Sequence, residues 1–198
     1  MERRRFQNLL DETRCVYTQS PSLAQFAALP DTLLEQEVSP NIRPSCELML
    51  GDAALTSTMY PAYIEALLDV GRSMHWRETY DARLEGAQFM DRWGCFSIIG
   101  DRAPYVSDRL RLFIVYMPAG LVYPWHRHPA EEMYLVLAGQ AAFKREGHRP
   151  EVLTQGMTMF HDSDQAHALE TTDHPVLCLV AWRNHLTVLP ELVPAPDE

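Results

Sequence analysis

Four side chains that can bind a metal and move a proton lie close together in the stretch GLVYPWHRHPAEEMYLVLAG, residues 120–139. His126 and His128 are two residues apart, so in a strand they point to the same face; Glu132 and Tyr134 share a face after the chain reverses at PAE. Two imidazoles and a carboxylate are a common ligand set for Zn²⁺, Fe²⁺, Mn²⁺ or Ni²⁺. The stretch therefore predicts a site for one divalent metal ion with a phenol beside it.

A ligand set of this kind is usually completed by a residue far along the chain. His167, in HDSDQAHALETT, follows a turn-rich segment and begins a short strand-like run, so we expect it to be the distant ligand. His161, six residues earlier, is interpreted as a core or surface residue, with a place behind the ligands as the alternative.

Aromatic residues flank the same stretch. Tyr123 and Trp125 precede the two histidines, and Trp182 ends the last strong apolar run. We expect them to form an aromatic mouth that contacts a substrate; the alternative for the two tryptophans is that they plug the barrel ends. Tyr134 either packs the interior or takes part in the chemistry.

The elements that must position these residues change in character near residue 80. Before it, helical spacing of apolar residues predicts helices over 3–14, 23–29, 32–38 and 61–75, with Asp31 resembling an N-cap for the third. After residue 88, short apolar runs alternate with turn residues, a pattern typical of a sandwich or barrel. The fold is therefore predicted to be mainly β: one compact domain in which a helical N-terminal layer (1–85) packs on a β-barrel (86–198).

Composition and charge limit the kinds of partner that the protein can bind. The chain has 198 residues and a net charge of −10, which repels phosphate backbones and anionic membranes, so neither nucleic acid nor membrane is expected as a partner. The four cysteines form no CxxC pair and are predicted to be buried reduced thiols. The segment MERRRFQNLLDETR lacks the apolar core of a signal peptide, and no apolar run approaches about 20 residues. We expect a cytoplasmic protein, monomeric or homodimeric.

The metal-binding stretch resembles the first sequence motif of the cupin superfamily, G-x5-H-x-H-x3-E-x6-G. All five fixed positions agree: Gly120, His126, His128, Glu132 and Gly139. The resemblance implies a cupin barrel, which is a double-stranded β-helix or jelly roll.

The second cupin motif, G-x5-P-x-G-x2-H-x3-N, agrees in part. Gly156 and His167 match, whereas Asp162, Asp164 and Thr171 stand where the motif has proline, glycine and asparagine. These departures concern the turn, and the histidine ligand that the motif implies is retained.

Within the cupins, the chain resembles the cupin-type dimethylsulfoniopropionate (DMSP) lyases, most closely the DddQ-like branch. The resemblance rests on the helical N-terminal part and on Y-x2-H-x-H-x3-E-x-Y at 123–134, followed by His167 and Trp182. It implies a carbon–sulfur lyase that splits DMSP, a small zwitterionic carboxylate, into dimethyl sulfide and acrylate. It also implies the roles of the site residues. The metal ligands would be His128, Glu132 and His167, and His126 would be a further ligand or lie behind the ligands and contact the substrate. Tyr134 would be the base, and the substrate would be surrounded by Tyr123, Trp125 and Trp182, of which Tyr123 is also a candidate catalytic group.

Elementary chemistry agrees with these roles. A proton next to a carboxylate is weakly acidic, and a divalent cation on that carboxylate stabilises the charge that develops when the proton leaves. A tyrosine with its ordinary pKa of about 10 is protonated at neutral pH, so we expect the cation to lower the pKa of Tyr134. A cationic sulfonium group is attracted to aromatic faces.

Three other functions are alternatives to the lyase, the first of which would use the same ligands. An Fe²⁺-dependent cupin dioxygenase would need open coordination positions for O₂. A sugar or sugar-phosphate isomerase could use Lys144 and Arg145, although this pair is more simply a solvent-facing charge cluster. A non-catalytic cupin would only bind a small ligand or sense metal.

Overall fold

The fold consists of a helical N-terminal part followed by a strand-rich part, as seen in a computed structural model that describes residues 2–80 and 87–196. The helices are α1 (Glu2–Gln19), α2 (Pro21–Phe26), α3 (Pro44–Gly51), α4 (Pro61–Val70) and α5 (Ala87–Arg92), with a 3₁₀ turn at Gly71–Ser73. The strands are β1 (Leu34–Glu35), β2 (Gly94–Ile99), β3 (Tyr105–Val106), β4 (Arg111–Met117), β5 (Leu121–Arg127), β6 (Glu131–Arg145), β7 (Glu151–Thr154), β8 (Thr158–His161), β9 (His167–Thr171), β10 (Val176–Arg183) and β11 (Glu191–Leu192). The prediction of a mainly β barrel with N-terminal helices is confirmed. The predicted domain boundary at 85/86 lies outside the described residues.

The helix predicted over 32–38 is wrong. Leu34 and Glu35 instead form β1, which pairs antiparallel with β3 at the edge of the sheet. Leu34 is 73% exposed, and Leu33 and Val38 are only partly buried, so the segment has little buried apolar surface to stabilise a helix. The side-chain amide of Gln36 donates to the carbonyl oxygens of Gly100 and Ala103, which holds the segment extended against the barrel.

The barrel is built from two sheets that share the long strand β6. One sheet has the order β1-β3-β2-β4-β10-β6, with β8 also paired to the first half of β6. The other has the order β6-β9-β5-β11, with β7 also paired to the second half of β6. A single strand therefore carries the chain from one wall of the barrel to the other.

Burial on both faces of β6 explains its near-continuous apolar sequence. Tyr134 and Val136 point into the barrel and belong to its interior cluster. Leu135 and Leu137 point outward and belong to a second cluster, in which helices α1, α3 and α4 cover the sheet. The helical layer thus leaves the barrel interior to the residues of the predicted metal site.

Gly139 allows β6 to pass from one sheet to the other. Its φ is +71°, in the left-handed region, and a Cβ at this position would overlap the carbonyl oxygen of Pro175. That carbonyl accepts the backbone N–H of Gln140, so it cannot move away without breaking a hydrogen bond between the strands. The last glycine of the first cupin motif is therefore required by backbone geometry.

Gly139→Ala is expected to lower the free energy of unfolding by about 2–4 kcal/mol, because left-handed strain and the overlap with Pro175 add. In a chain of this size the loss corresponds to a melting temperature lower by roughly 5–15 °C. The matched control is Gly120→Ala: its φ of +68° is similar, but a Cβ there meets no atom within 4 Å, so only the left-handed backbone contributes and the loss should be about 1–2 kcal/mol. Equal losses in the two variants, measured by thermal unfolding, would contradict this account.

Two further sequence predictions concern cysteines and the membrane. Cys46, Cys95 and Cys178 are buried and free, as predicted, whereas the free Cys15 is exposed on α1. Among the described residues, no helix combines the length and the apolar character that crossing a bilayer requires.

Candidate metal centre

Strand register brings the predicted ligands together at one end of the barrel. His126 on β5 lies directly opposite His167 on β9. Glu132, at the start of β6, lies opposite His161 on β8 and opposite Trp182 on β10. Cross-strand partners on one face are close enough for their side chains to interact. The site is therefore a product of pairing between five strands.

A bulge in β5 puts Tyr123 and His126 on the same side. Simple alternation would point them to opposite faces, but the register with β9 shifts between these two residues. Both are buried, and the ring of Tyr123 stacks on that of His126 with the centroids 4.0 Å apart. Trp125, inside the bulge, is half-buried. It is not among the described residues that line the cavity at this end of the barrel, whereas His126, His128 and Glu132 are.

The three predicted histidine ligands all hold the same tautomer. In His126, His128 and His167, Nδ1 lies 2.8–2.9 Å from a backbone carbonyl oxygen two residues away in the chain. A carbonyl only accepts, so Nδ1 carries the hydrogen and, in the neutral ring, Nε2 presents a lone pair. This is the form of imidazole that binds a metal.

The Nε2 atoms converge without partners of their own. Those of His128 and His167 are buried and make no hydrogen bond among the described residues. Ligand atoms of His126, His128 and His167 lie within 4.8 Å of one another. Glu132 completes the set, since its Oε2 lies 3.0 Å from Nε2 of His167 and its Oε1 lies 3.5 Å from Nε2 of His128. Buried lone pairs facing a carboxylate fit a divalent cation.

Both oxygens of Glu132 also accept hydrogen bonds. Trp182 Nε1 donates to Oε1 at 2.6 Å, and His161 Nδ1 donates to Oε2 at 3.1 Å. Trp182 thus lines the cavity, as expected of the aromatic mouth, but its indole N–H holds the carboxylate while its ring lies 4.2 Å from that of His128. Glu131 lies outside the site and pairs with Arg183 and Asn184.

Burial and charge together set the ionisation of the site. Burial alone would raise the pKa of Glu132, but the imidazoles of His128 and His167 hold that pKa well below its ordinary value. Burial lowers the pKa of His126 well below its ordinary value and, with His167 nearby, lowers the pKa of His161 to about 4. For His128, burial is outweighed by Glu132, and its pKa is raised.

The metal-free protein is expected to lose stability as the pH falls from about 6.5 to 4. His126 and His161 stay neutral in the folded protein while they become protonated in the unfolded chain, and each such proton costs up to about 1.4 kcal/mol per pH unit. His128 has the opposite sign: its stabilising contribution is complete below pH 6.5 and is lost as the pH rises through its raised pKa. Glu132 contributes until the pH falls below its lowered pKa. Urea unfolding of chelated protein at pH 7.5, 6.5 and 5.5 should show the midpoint decreasing in the acid range; an unchanged midpoint would contradict the neutral histidines.

The two predicted catalytic tyrosines have different environments. Tyr134 is 2% exposed, lines the cavity and meets the rings of Phe143 and His161 edge-on. Burial and the negative charge of Glu132 raise the pKa of Tyr134 well above its ordinary value. The hydroxyl of Tyr123 is hydrogen-bonded to that of Tyr80 at 2.7 Å.

Several residues of the cavity were not among the predicted site residues. Arg77, Thr79 and Trp93 line it. Trp93, Tyr80 and Phe89 form an aromatic cluster with Tyr123, with ring centroids between 5.2 and 6.4 Å apart. These residues precede the barrel strands and carry no spacing that relates them to the histidines. The only available signal was the density of aromatic residues around 76–93.

Comparison with known proteins gives a consistent picture. The sequence model of the DMSP lyase family matches residues 18–178. DMSP lyase DddQ of Ruegeria pomeroyi (strain ATCC 700808 / DSM 15171 / DSS-3) is 47% identical over 187 residues, which are 94% of this chain and 93% of that protein.

Two solved structures have nearly the same fold. The crystal structure of DMSP lyase DddQ from Ruegeria pomeroyi DSS-3 superposes with a TM-score of 0.94 at 46% identity and covers 98% of both chains. A chain from the crystal structures of the DMSP lyases RdDddP and RnDddQII superposes with a TM-score of 0.93 at 28% identity, and the match covers 98% of this chain and 100% of that one. The similarity therefore includes the helical layer as well as the barrel.

Proposed function

The chain belongs to the dimethylsulfoniopropionate lyase family, and we propose that it is a metal-dependent lyase that splits DMSP into dimethyl sulfide and acrylate. The observation that carries this proposal beyond family membership is the buried set of imidazole Nε2 atoms facing Glu132. The set lies next to a buried phenol, in a cavity lined by aromatic rings.

The proposed ligands of one Zn²⁺, Fe²⁺, Mn²⁺ or Ni²⁺ ion are His126, His128, Glu132 and His167. His126 is included because its ligand atom lies within 4.8 Å of those of His128 and His167. When bound, the cation supplies positive charge that stabilises the substrate carboxylate during proton loss and favours the phenolate form of the neighbouring tyrosine.

Tyr134 is the proposed base. Its oxygen accepts the proton from the carbon next to the carboxylate, the electrons of that C–H bond form the carbon–carbon double bond, and the carbon–sulfur electrons leave on sulfur. The products are acrylate and neutral dimethyl sulfide, so atoms and charge balance. Because burial and Glu132 raise the pKa of Tyr134, its action as a base depends on a loaded site.

The sulfonium end is proposed to lie against the rings of Tyr123 and Trp182, both of which line the cavity. Attraction between a cation and an aromatic face contributes about 0.5–2 kcal/mol. Trp125 lies in the β5 bulge and is not among the described residues of the cavity lining, so it is not proposed to contact the substrate. His126 touches Tyr123 and so connects the metal set to this aromatic wall.

The proposal is tested by incubating purified protein with DMSP and detecting dimethyl sulfide in the headspace. The protein is first stripped with a chelator and then reloaded separately with each of the four metals. Release that disappears on chelation and returns with at least one metal is the expected result. Absence of release with all four would overturn the proposed function.

A further inference from the structure

His161 is the one histidine of the described site whose Nδ1 does not bond to the backbone. It lies at the end of β8, is 1% exposed, and donates from Nδ1 to Oε2 of Glu132 at 3.1 Å. Since a carboxylate only accepts, this bond fixes the hydrogen on Nδ1 and leaves Nε2 without a partner among the described residues.

The ring of His161 is held from two sides. It stacks on the ring of His167, with centroids 4.1 Å apart and planes inclined by 10°. The ring of Tyr134 meets it edge-on at 5.6 Å. Its strand position directly opposite Glu132 brings Nδ1 to the carboxylate, and the stacking prevents the imidazole from turning away.

Glu132 needs such support because a carboxylate on a flexible side chain can rotate out of a ligand position. Trp182 donates to Oε1 at 2.6 Å and His161 donates to Oε2, so the two N–H groups fix the plane of the carboxylate from opposite sides. Groups that hold metal ligands in this way typically change metal affinity by 10–100-fold when they are removed.

We propose that His161 is a positioning residue for the metal centre: its Nδ1–H orients the Glu132 carboxylate toward the ion, and the imidazole is not itself a ligand. This inference rests on the metal site of the proposed function and is independent of which substrate the enzyme cleaves.

The test compares two substitutions of nearly equal shape, His161→Asn and His161→Leu. The amide nitrogen of asparagine is as many bonds from Cβ as Nδ1 of histidine, so it can donate to Glu132, whereas leucine cannot. Chelated protein is titrated with Co²⁺ in competition with a metal indicator of known affinity, and visible Co²⁺ absorption reports the ligand set. Circular dichroism confirms that each variant is folded.

The expected result is a Kd for Co²⁺ that rises about 10–100-fold in His161→Leu and stays within about threefold of the unsubstituted protein in His161→Asn. The Co²⁺ spectrum of His161→Asn should be unchanged, because no ligand is lost. If His161→Leu does not fold, His161→Gln replaces it, since its amide nitrogen lies one bond too far from Cβ to take the place of Nδ1.

Two outcomes would overturn the inference. Unchanged affinity in His161→Leu would mean that the hydrogen bond to Glu132 does not support the ion. Equal weakening in both variants would mean that the imidazole itself is needed, as a ligand or as packing. Because no DMSP is present, failure here is distinct from failure of the proposed function, which would appear as normal Co²⁺ binding without release of dimethyl sulfide.

Discussion

Tyr134→Phe is expected to bind the metal ion with unchanged affinity and to release dimethyl sulfide roughly 10²–10⁴-fold more slowly than the unsubstituted enzyme. The substitution removes one oxygen from a side chain that is 2% exposed. The ring contacts with Phe143 and His161 remain, so the fold and the ligand geometry should be preserved.

The matched control is Tyr123→Phe, which removes the hydroxyl of the other cavity tyrosine. That hydroxyl is hydrogen-bonded to Tyr80, and the stacking on His126 needs only the ring. We therefore expect at most about a tenfold decrease in turnover for Tyr123→Phe, because a single neutral hydrogen bond contributes about 1 kcal/mol. The two variants differ only in which phenol is lost.

Initial rates with DMSP, measured on samples of equal metal content, decide between the tyrosines. Turnover of Tyr134→Phe within tenfold of the unsubstituted enzyme would remove Tyr134 from the proton-transfer step. A large loss confined to Tyr123→Phe would transfer the role of base to Tyr123.

The convergence of His126, His128 and Glu132 could be predicted because their spacing in the sequence is local, whereas His167 was expected only as the distant member that such a set usually has. Alternation along a strand places every second residue on one face, and the first cupin motif adds the distance from the histidines to Glu132. Gly139 was also predictable, because it occupies a fixed position of the first cupin motif. The structure explains that position: its positive φ and the close approach of Pro175 allow no other residue without strain. The barrel and its helical layer were predictable for the same reason.

The surroundings of Glu132 could not be predicted in this way. His161 and Trp182 reach the carboxylate because β8 and β10 pair with β6 in a particular register. No pattern within β8 or β10 states which residue of β6 will lie opposite. For His161 the sequence indicated a core or surface role, with a place behind the predicted ligands as the alternative, and the contact with Glu132 agrees with the alternative. For Trp182 the sequence indicated an aromatic contact and gave no sign that its indole N–H bonds to Glu132.

Irregular backbone caused the remaining differences. Alternation cannot anticipate the β5 bulge, which turns Tyr123 inward beside His126 and leaves Trp125 outside the cavity lining. At residues 32–38, helical spacing of apolar residues was real but misleading, because the segment bonds to the barrel edge through Gln36 instead of burying Leu34. Tertiary hydrogen bonds overrode local preference there.

His167→Ala is expected to lose both the metal and the activity. His167 lies next to all the other proposed ligands: a ligand atom of its imidazole lies within 4.8 Å of those of His126 and His128, and its Nε2 lies 3.0 Å from Oε2 of Glu132. Removing a ligand should weaken metal binding by more than the roughly 100-fold that follows loss of a supporting hydrogen bond. Turnover of DMSP should then fall below detection at micromolar metal.

Thermal unfolding with and without a chelator separates loss of metal from loss of fold. A ligand that binds only the native state raises the melting temperature, so chelation should lower it for the metal-loaded unsubstituted protein. It should leave His167→Ala unchanged, with a cooperative transition near that of the chelated unsubstituted protein. The matched control is His148→Ala, which removes an exposed imidazole from a turn and should behave as the unsubstituted protein in both arms. A His167→Ala variant that is still stabilised by metal and still releases dimethyl sulfide would exclude His167 from the ligand set.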